Sequence, residues 1–304
     1  SSAASDVYKR QAYHGTSDLT SGCSPALGTG QTLAATTRLV SAPDQYRFEG
    51  EDLGDWFAAQ IQAQIDDMNA NGIKFAGFLA DSIFSSDGVM PNPIGFLKKA
   101  VDVVHANGGI FIADEVQPGF ARTGDSFWGF GRHGVVPDII TTGKPMGNGI
   151  PVSGLLAKDH VLSAFSQKIP YFNTFGGNPV AMAAAQAVLK TIQEEELQAH
   201  SQRLGGLLLT ELRKLMEKYD CVGDVRGAGL FIGFELVQDR FTKMPDKALA
   251  LDLIEELRNT HRVLTSVAGP YGNVLKLRPP LVFQEKDIDW LVGALDQALS
   301  KLQK

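Results

Sequence analysis

Apolar residues in the first half of the chain alternate between short continuous runs and segments that repeat with the helical period. The run at 75–79 ends near Asp81 and the run at 110–113 ends at Asp114, and short apolar runs of this kind are typical of buried strands. The helical patterns flank these runs, at 53–71 and at 96–105. Strands that alternate with helices predict βαβ units and a mostly parallel sheet with flanking helices, so we expect the α/β fold class.

The second half predicts a change of architecture. Asn178-Pro179 supplies an N-cap and a proline at the first helical position, and this helix is followed by another near 201–219. The later elements are those of a compact α+β unit: a strand pair at 223–236, a helix at 247–257, a strand at 274–281 and a terminal helix through 288–299. We therefore expect a large domain over residues 12–200 and a smaller C-terminal α+β domain over residues 201–304.

The composition allows a sizeable core and argues against several classes of protein. The chain has 304 residues, 44% of them hydrophobic, and a formal net charge of -6 with acids and bases interspersed. No basic stripe indicates nucleic acid, no apolar stretch is long enough to span a bilayer, and no signal peptide is visible. The two cysteines, Cys23 and Cys221, have no ligand spacing and are typical of a reducing compartment. These features favour a cytoplasmic protein with no nucleic-acid or membrane partner.

Two apolar runs end in ionisable residues. The run 110–113 stops at Asp114 and Glu115, and the run 135–140 leads through a short polar stretch to Lys144. In open α/β sheets the ligand lies beyond the carboxyl ends of the strands. We therefore expect the acid and the lysine to face one crevice.

This pair matches the needs of pyridoxal 5'-phosphate. A lysine shielded from water can lose its proton near neutral pH and attack a carbonyl. The cofactor requires such an amine for its Schiff base, together with an acid paired with its pyridine nitrogen. The sequence thus predicts that Lys144 supplies the amine and Asp114 the acid.

Three motifs carry a resemblance to a known family. FIADEVQPGFARTG, PDIITTGKPMGNGIP and NTFGGNPVAMAAA follow one another in that order. Together they resemble the class III (ornithine/GABA/alanine–glyoxylate-type) pyridoxal-phosphate-dependent aminotransferases, and the resemblance runs from about Ala12 to the C-terminus. It implies a fold-type I homodimer that transfers an amino group from an amino acid or amine to a keto acid or aldehyde.

The resemblance also implies roles for individual residues around the cofactor. Lys144 matches the Schiff-base lysine and Asp114 the partner of the pyridine nitrogen. Tyr13 matches the aromatic residue that stacks on the cofactor face, and His14 follows it in the aromatic-His-Gly pattern. Gln117 matches the residue near the ring hydroxyl; the alternative for this residue is a polar loop side chain.

Two further residues would act at the ends of the site. Thr174 matches the residue that reaches the phosphate of the neighbouring subunit's cofactor, and Arg278 matches an arginine that binds the substrate carboxylate. A turn hydroxyl and a strand-edge arginine are the respective alternatives. We expect Glu115 and Arg122 to have structural roles. Asp81 stands where the family usually has glutamate, so a role beside the cofactor is not expected for it.

The same residues leave other functions open. The segment FLADSIFSSDG resembles the branch that contains mitochondrial alanine–glyoxylate aminotransferase and the phospho-amine lyases, so a lyase acting on a phosphorylated amino alcohol is an alternative. IFIADE also resembles the acid-bearing strand of a P-loop ATPase, which demands G-x-x-x-x-G-K-[ST]. Here Lys144 precedes Pro145, and Asp138 occupies the place of the first glycine, so the ATPase is a distant second.

The start of the chain does not resemble the family. Residues 1–11, SSAASDVYKRQ, look like a tag or another non-native segment. The glycine/serine-rich helix start that holds the cofactor phosphate in the family would precede Ala12. We therefore expect a cofactor-binding domain, 12–200, that is incomplete at its N-terminus. A catalytically incompetent fragment of such an enzyme is a further alternative.

Overall fold

The computed structural model describes residues 11–28, 30 and 32–303, and the first part of this range forms a sheet flanked by helices. A short helix, α1 (Asp18–Ser21), lies in the loop-rich start of the described chain. The other helices and strands of this part are, in chain order, α2 (Leu53–Ala70), β1 (Gly77–Ala80), α3 (Leu97–Ala106), β2 (Ile110–Asp114), β3 (Ile139–Thr142), β4 (Gly154–Ala157), α4 (Asp159–Lys168) and α5 (Pro179–Glu194).

Strands β1 to β4 form, within the described residues, a four-stranded sheet in that spatial order. β1 pairs with β2 and β2 with β3 in parallel, whereas β4 runs antiparallel to β3. The sheet is therefore mostly parallel, as the sequence predicts. Asp114 lies opposite Thr141 in the register, so the ends of β2 and β3 meet at one edge of the sheet. The sequence analysis did not predict β4.

The start of β3 differs from the expectation. The apolar run 135–140 predicts a strand, but β3 begins only at Ile139. Pro137 has no N–H to donate to a neighbouring strand. Asp138 is joined to Phe111 twice: its backbone N–H donates to the Phe111 carbonyl at 2.8 Å, and its Oδ2 accepts from the Phe111 N–H at 2.9 Å. The connection before β3 is thus anchored by both the backbone and the carboxylate of Asp138.

The helices of the first part pack on the sheet through the faces that the sequence predicts. Phe57 of α2, Leu97 of α3 and Phe111 of β2 are fully buried in one core cluster. The predicted N-cap of α5 is confirmed, since the Asn178 side chain accepts from the backbone N–H of Ala181 at 3.0 Å. This core fixes β1 and β2 and therefore the loops that follow them.

The C-terminal part forms a separate α+β unit. Its elements are α6 (Leu197–Lys218), β5 (Val222–Ala228), β6 (Phe231–Asp239), β7 (Met244–Pro245), α7 (Lys247–His261), β8 (Ser266–Ala268), β9 (Val274–Leu277) and α8 (Glu285–Leu302). In the described chain the strand order is β5-β6-β9-β8, with β7 beside β6, and all these pairs are antiparallel. The predicted strand pair and the two helices are confirmed, whereas the strand predicted over 274–281 ends at Leu277, before Pro279 and Pro280.

Helix α6 connects the two parts. Leu197 at its start packs with Phe120 and Ile192, whereas Leu204 and Leu208 belong to the core of the C-terminal unit. The domain boundary between residues 200 and 201 falls inside this continuous helix. We keep that division as a proposal, with α6 as the connector.

The loop after β1 is one of the places where the C-terminal unit contacts the first part of the chain. The guanidinium of Arg226 donates to the carbonyl oxygens of Val89 at 2.8 Å and Gly88 at 2.7 Å, and it also pairs with Glu235 at 2.6 Å. The backbone N–H of Gly269 donates to the carbonyl of Ser86 at 3.0 Å. These contacts hold β5 and the turn after β8 against the loop that follows β1.

Candidate active site

Asp114 ends β2 and is held from two sides. Its Oδ1 accepts from the backbone N–H of Val116 at 3.1 Å, and its Oδ2 lies 2.8 Å from Nδ1 of His14. The His14 backbone N–H donates to Oγ of Ser24 at 2.9 Å, which fixes the loop that carries the imidazole. Both members of the His14–Asp114 pair are nearly buried. The carboxylate therefore has a fixed orientation at the carboxyl edge of the sheet.

Lys144 lies just beyond the end of β3, on the same edge as Asp114. Its Nζ is 5.9 Å from the centre of the Tyr13 ring, within the reach of a cation–π contact. The structure thus brings Tyr13, His14, Asp114 and Lys144 to one edge of the sheet, as the sequence predicts.

The expectation that Lys144 is shielded from water is wrong for the described chain. The side chain of Lys144 is exposed. It sits in a turn beyond the sheet, between Gly143 and Pro145. Tyr13 is 38% exposed, so the ring does not close the crevice over the lysine either.

Gln117 and Arg278 meet although they come from different units. Nη1 of Arg278 donates to Oε1 of Gln117 at 2.9 Å, and Nε2 of Gln117 donates to Oγ of Ser85 at 2.6 Å. The Ser85 hydroxyl in turn donates to the carboxylate of Asp81. Burial raises the pKa of Asp81. A chain of hydrogen bonds therefore runs from the loop after β1, through the loop after β2, to the end of β9.

Lys276 is a functional candidate that the sequence analysis missed. It lies two residues before Arg278 on β9, and its Nζ donates to the carbonyl of Ser85 over 3.4 Å. Burial, and then the nearby charges of Arg278 and Lys144, lower the pKa of Lys276 to about 8. The alternation K-L-R could have shown it, because residues two apart on a strand share a face.

Glu115 and Arg122 have the structural roles that the sequence predicts. Glu115 is fully buried and accepts from the Ser82 hydroxyl at 2.7 Å and from the backbone N–H of Phe130 at 2.9 Å. Burial raises the pKa of Glu115 to about 7. Arg122 donates to the carbonyl of Leu230 at 3.2 Å and to that of Pro279, and burial lowers its pKa to about 10.

Thr174 stands apart from these residues. It is exposed in the segment before α5, and within the described chain no hydrogen bond or ring contact joins it to Lys144, Asp114 or Tyr13. The neighbouring Asn173 side chain accepts from the backbone N–H groups of Phe175 and Gly176 at 3.1 and 2.8 Å. A role for Thr174 in its own subunit's site is therefore not supported.

A cavity in the described chain borders this edge without containing its lysine. It has a volume of about 710 Å³ and lies between β1 and α2. Tyr13, His14 and Asp81 line it, but Lys144 and Asp114 do not. We place the candidate site by its chemistry, at the ends of β2 and β3, rather than by this cavity.

The donor set at the strand ends fits pyridoxal phosphate. A carboxylate with both oxygens already oriented suits a protonated ring nitrogen, and a lysine amine at the neighbouring strand end suits the aldehyde carbon. Tyr13 offers an aromatic face close to that amine. The fold and this edge together define a fold-type I pyridoxal-phosphate transferase.

The chain belongs to the class III aminotransferases. The family model described as aminotransferase class-III matches residues 5–299, which confirms the resemblance seen in the three motifs. That match begins within the segment 1–11, of which residues 1–10 lie outside the described residues. Pyridoxal 5'-phosphate is the cofactor that this family implies.

Named relatives carry two activities. The chain is 40% identical over 273 residues to an alanine–glyoxylate aminotransferase 2-like protein of Drosophila melanogaster, covering 87% of this chain and 55% of the relative. It is also 40% identical over 253 residues to an ethanolamine-phosphate phospho-lyase homolog of Caenorhabditis elegans, covering 83% of this chain and 54% of the relative. The chain thus spans little more than half the length of these relatives.

A solved structure has a closely similar fold. It is a phospholyase from Arthrobacter in complex with phosphoethanolamine, with a TM-score of 0.90 and 35% sequence identity. The superposition covers 98% of this chain and 74% of the other. No helix within the described residues is long and apolar enough to cross a membrane.

Proposed function

We propose that this chain carries out pyridoxal-phosphate-dependent transamination, from an amino acid or amine to a keto acid or aldehyde. The observation that carries the proposal is the pairing of a fixed acid, Asp114, with Lys144 at neighbouring strand ends. The family relationship and the aminotransferase among the relatives support it.

Each residue would have a distinct task in this reaction. Asp114 would hold the proton on the ring nitrogen, and His14 would keep the carboxylate turned toward it. Tyr13 would pack on the ring face and Gln117 would lie near the ring hydroxyl. When bound, the cofactor supplies an electron-withdrawing ring that stabilises negative charge on the substrate carbon. Nζ of Lys144 would take the proton from that carbon and return it.

A second function has its own support. Lys276 of β9 and Arg278, which directly follows this strand, are two cations close enough for their charges to interact, and Nη1 of Arg278 already donates to the loop that follows Asp114. Two cations can bind the phosphate group of a phosphorylated amine, whereas an amine without an anionic group has nothing for them to bind. A phospho-amine lyase, as in the Arthrobacter relative, is therefore the alternative. Free phosphate released from a phosphorylated amino alcohol without any keto acid would distinguish the lyase from the transaminase.

We infer that the enzyme is a homodimer. Thr174 would reach the cofactor phosphate of the partner subunit, which explains its distance from its own site. The same stretch of the chain carries many exposed apolar side chains, a set that we call the 150–182 surface: Ile150, Leu155, Leu156, Phe165, Ile169, Tyr171, Phe172, Phe175, Val180 and Met182. A surface of this apolar character favours burial against another copy of the chain.

A cytoplasmic location is also part of the proposal. The described chain has two free cysteines, one half-buried and one buried, as is typical of a reducing compartment. Some relatives have mitochondrial names, including an Arabidopsis thaliana homologue that is 39% identical over 302 residues. Tracking a tagged copy in its native cell would decide between the two locations.

The decisive experiment is a cofactor-retention spectrum. The purified chain is mixed with pyridoxal phosphate, desalted, and its visible absorption recorded beside Lys144→Ala. Lys158→Ala is the matched control, because Lys158 pairs with Asp138 at 2.9 Å, at the opposite end of β3. We expect wild type and the control to retain absorption that an amino donor changes, and Lys144→Ala to lose it.

Two results would contradict the proposal in different ways. Multiple turnover by Lys144→Ala would remove the role of that lysine. A colourless wild type would show that this chain does not hold the cofactor, which would favour the incompetent-fragment alternative.

A further inference from the structure

Ser85 occupies an unusual place between the two units. Its side chain is fully buried, and four hydrogen bonds converge on it. Its Oγ accepts from Nε2 of Gln117 at 2.6 Å and its hydroxyl donates to Asp81. Its backbone N–H donates to Oδ2 of Asp81 at 3.0 Å, and its carbonyl accepts from Lys276 over 3.4 Å.

Asp81 sets the direction of this chain of hydrogen bonds. Its Oδ1 accepts from the backbone N–H of Ile83 at 2.9 Å and its Oδ2 from the N–H of Ser85 at 3.0 Å, so both oxygens act as acceptors. When Asp81 is ionised, the Ser85 hydroxyl gives its proton to Oδ2 of Asp81, which leaves only lone pairs for Gln117. A serine hydroxyl has one proton and cannot donate to both.

The donor and acceptor arrangement at Ser85 determines which end of the Gln117 amide faces Arg278. A glutamine amide has a donor end and an acceptor end. Because Nε2 of Gln117 is occupied by Ser85, Oε1 turns toward Arg278 and accepts from its Nη1 at 2.9 Å. A flipped amide would present N–H groups to the guanidinium, which has no acceptor. Ser85 therefore decides whether Gln117 attracts or repels Arg278.

We propose that Ser85 is a positioning residue for the anion-binding end of the site. Through Gln117 it orients the guanidinium of Arg278, and through its carbonyl it holds the ammonium of Lys276, so that both cations face one oxyanion of the amino donor. The proposal rests on the proposed function, because it assumes that the phosphate or carboxylate group of the amino donor binds at this end of the site. Ser85 itself touches neither substrate nor cofactor.

The direct test measures anion binding to the cofactor-free chain. Inorganic phosphate is titrated by calorimetry into wild type, Ser85→Ala and Ser86→Ala. Ser86 is the matched control, because its contact with Gly269 uses the backbone carbonyl, which alanine keeps. We expect Ser85→Ala to bind phosphate about three- to tenfold more weakly, the effect of losing about one hydrogen bond, and Ser86→Ala to match wild type. Equal affinity of all three proteins would overturn the proposal.

Kinetics of the cofactor-loaded enzyme separate positioning from general damage. For Ser85→Ala we expect a raised KM with little change in kcat for an anionic donor, and an unchanged KM for 1-phenylethylamine, which has no anionic group. O-phosphoethanolamine and L-alanine are compared, and the donor with the larger rise identifies phosphate or carboxylate as the group received. An equal rise for all three amines would mean that Ser85 is merely structural.

A double-mutant cycle measures the coupling between Ser85 and Arg278 without using enzyme activity. Unfolding temperatures are measured for Ser85→Ala, Arg278→Ala and the double variant. Because these two side chains interact only through Gln117, we expect the double variant to lose less than the sum of the single losses. Additive losses would contradict the proposal even if the enzyme is active. If Ser85→Ala does not fold, Gln117→Met breaks the same chain one bond later and replaces it in the cycle.

The two proposals can fail separately. A wild type that binds no phosphate and converts no amine would contradict the proposed function. The cycle would then still decide whether Ser85 orients Arg278.

Discussion

His14 and Asp114 are one hundred residues apart in sequence, yet their side chains meet at 2.8 Å at the end of β2. The two side chains are only 6% and 12% exposed. A second pair of the same kind, His105 Nε2 and Asp138 Oδ2, also lies at 2.8 Å but stands before β3, at the opposite end of the strands. The same chemistry thus occurs at both ends of the sheet, and only the first pair lies beside Lys144.

We expect His14→Ala to weaken pyridoxal-phosphate binding roughly tenfold. The variant leaves Oδ2 of Asp114 without its partner, and an unmade hydrogen bond to a shielded acceptor costs about 1–3 kcal/mol. His105→Ala breaks the matching pair and should affect stability without changing cofactor affinity. Fluorescence titration with the cofactor measures both. Equal losses in the two variants would mean that His14 only stabilises the fold.

Asp114→Asn should retain the fold and lose activity. The amide cannot hold a proton on the ring nitrogen, so the rate of the amino-donor half-reaction should fall by roughly 100-fold or more. Stopped-flow absorption with a single donor measures this rate directly. A rate close to that of wild type would assign the ring-nitrogen role to another residue.

The strand ends could be predicted from the sequence because their signals are local. The runs before Asp114 and Lys144 lie within one segment, and parallel pairing brings such ends together wherever the sheet forms. The boundaries were less predictable. Strand β3 begins at Ile139 rather than at residue 135, because Pro137 has no N–H to donate to a neighbouring strand.

The anion end of the site could not be predicted in the same way. Gln117 and Arg278 are 161 residues apart, and only the docking of β9 on the loop after β1 brings them together. Sequence reasoning found Arg278 by resemblance but not its contact with Gln117. It missed Ser85 because a buried serine has no pattern of its own. Lys276 could have been predicted from its spacing of two residues from Arg278, but the family resemblance indicated only Arg278.

Binding of an anionic donor should weaken above pH 8. The pKa of Lys276 is about 8, so its ammonium is charged below that pH and lost above it. Between pH 7 and pH 9 we expect the affinity for O-phosphoethanolamine to fall roughly three- to tenfold in wild type. Lys276→Arg keeps its charge throughout and should show a flatter profile. Parallel profiles for the two proteins would exclude Lys276 from the anion site.

The 150–182 surface should hold the dimer together. Phe172 is 86% exposed within one chain, and Phe172→Glu would place a charge in the middle of the interface, at a cost that burial cannot offset. Phe241 is 94% exposed in the C-terminal unit, so Phe241→Glu is the matched control. Light scattering should give twice the chain mass for wild type and Phe241→Glu, and a lower mass for Phe172→Glu. A monomeric wild type at all concentrations would contradict the dimer.

His133 should make the fold sensitive to acid. Its Nε2 donates to the carbonyl of Ser82 at 2.9 Å, and its Nδ1 accepts from the backbone N–H of Gly95 at 3.2 Å, so the neutral ring satisfies both neighbours. Burial, and secondarily the charge of Arg132, lowers the pKa of His133 from 6.5 to about 4. In the protonated ring, the N–H at Nδ1 would face the N–H of Gly95, so that two donors oppose each other and the hydrogen bond is lost.

The sign of the effect follows from proton binding. The unfolded chain takes up the His133 proton at pH 6.5 and the folded chain only near pH 4. The stability associated with the neutral ring is therefore fully present above pH 6.5 and is lost as the pH falls toward 4. The loss is on the order of 3 kcal/mol in the free energy of unfolding, from about 1.36 kcal/mol for each pKa unit.

His133→Gln removes this titration while keeping a donor and an acceptor. Urea unfolding at several values between pH 4.5 and pH 7 measures the difference in unfolding free energy between wild type and variant, which cancels the opposite trend of Glu115, whose pKa is raised to about 7. Wild type should lose its advantage over the variant as the pH falls. His160→Gln, at an exposed position, should follow wild type. A constant difference between wild type and His133→Gln would show that His133 titrates equally in the folded and the unfolded chain, and would contradict the prediction.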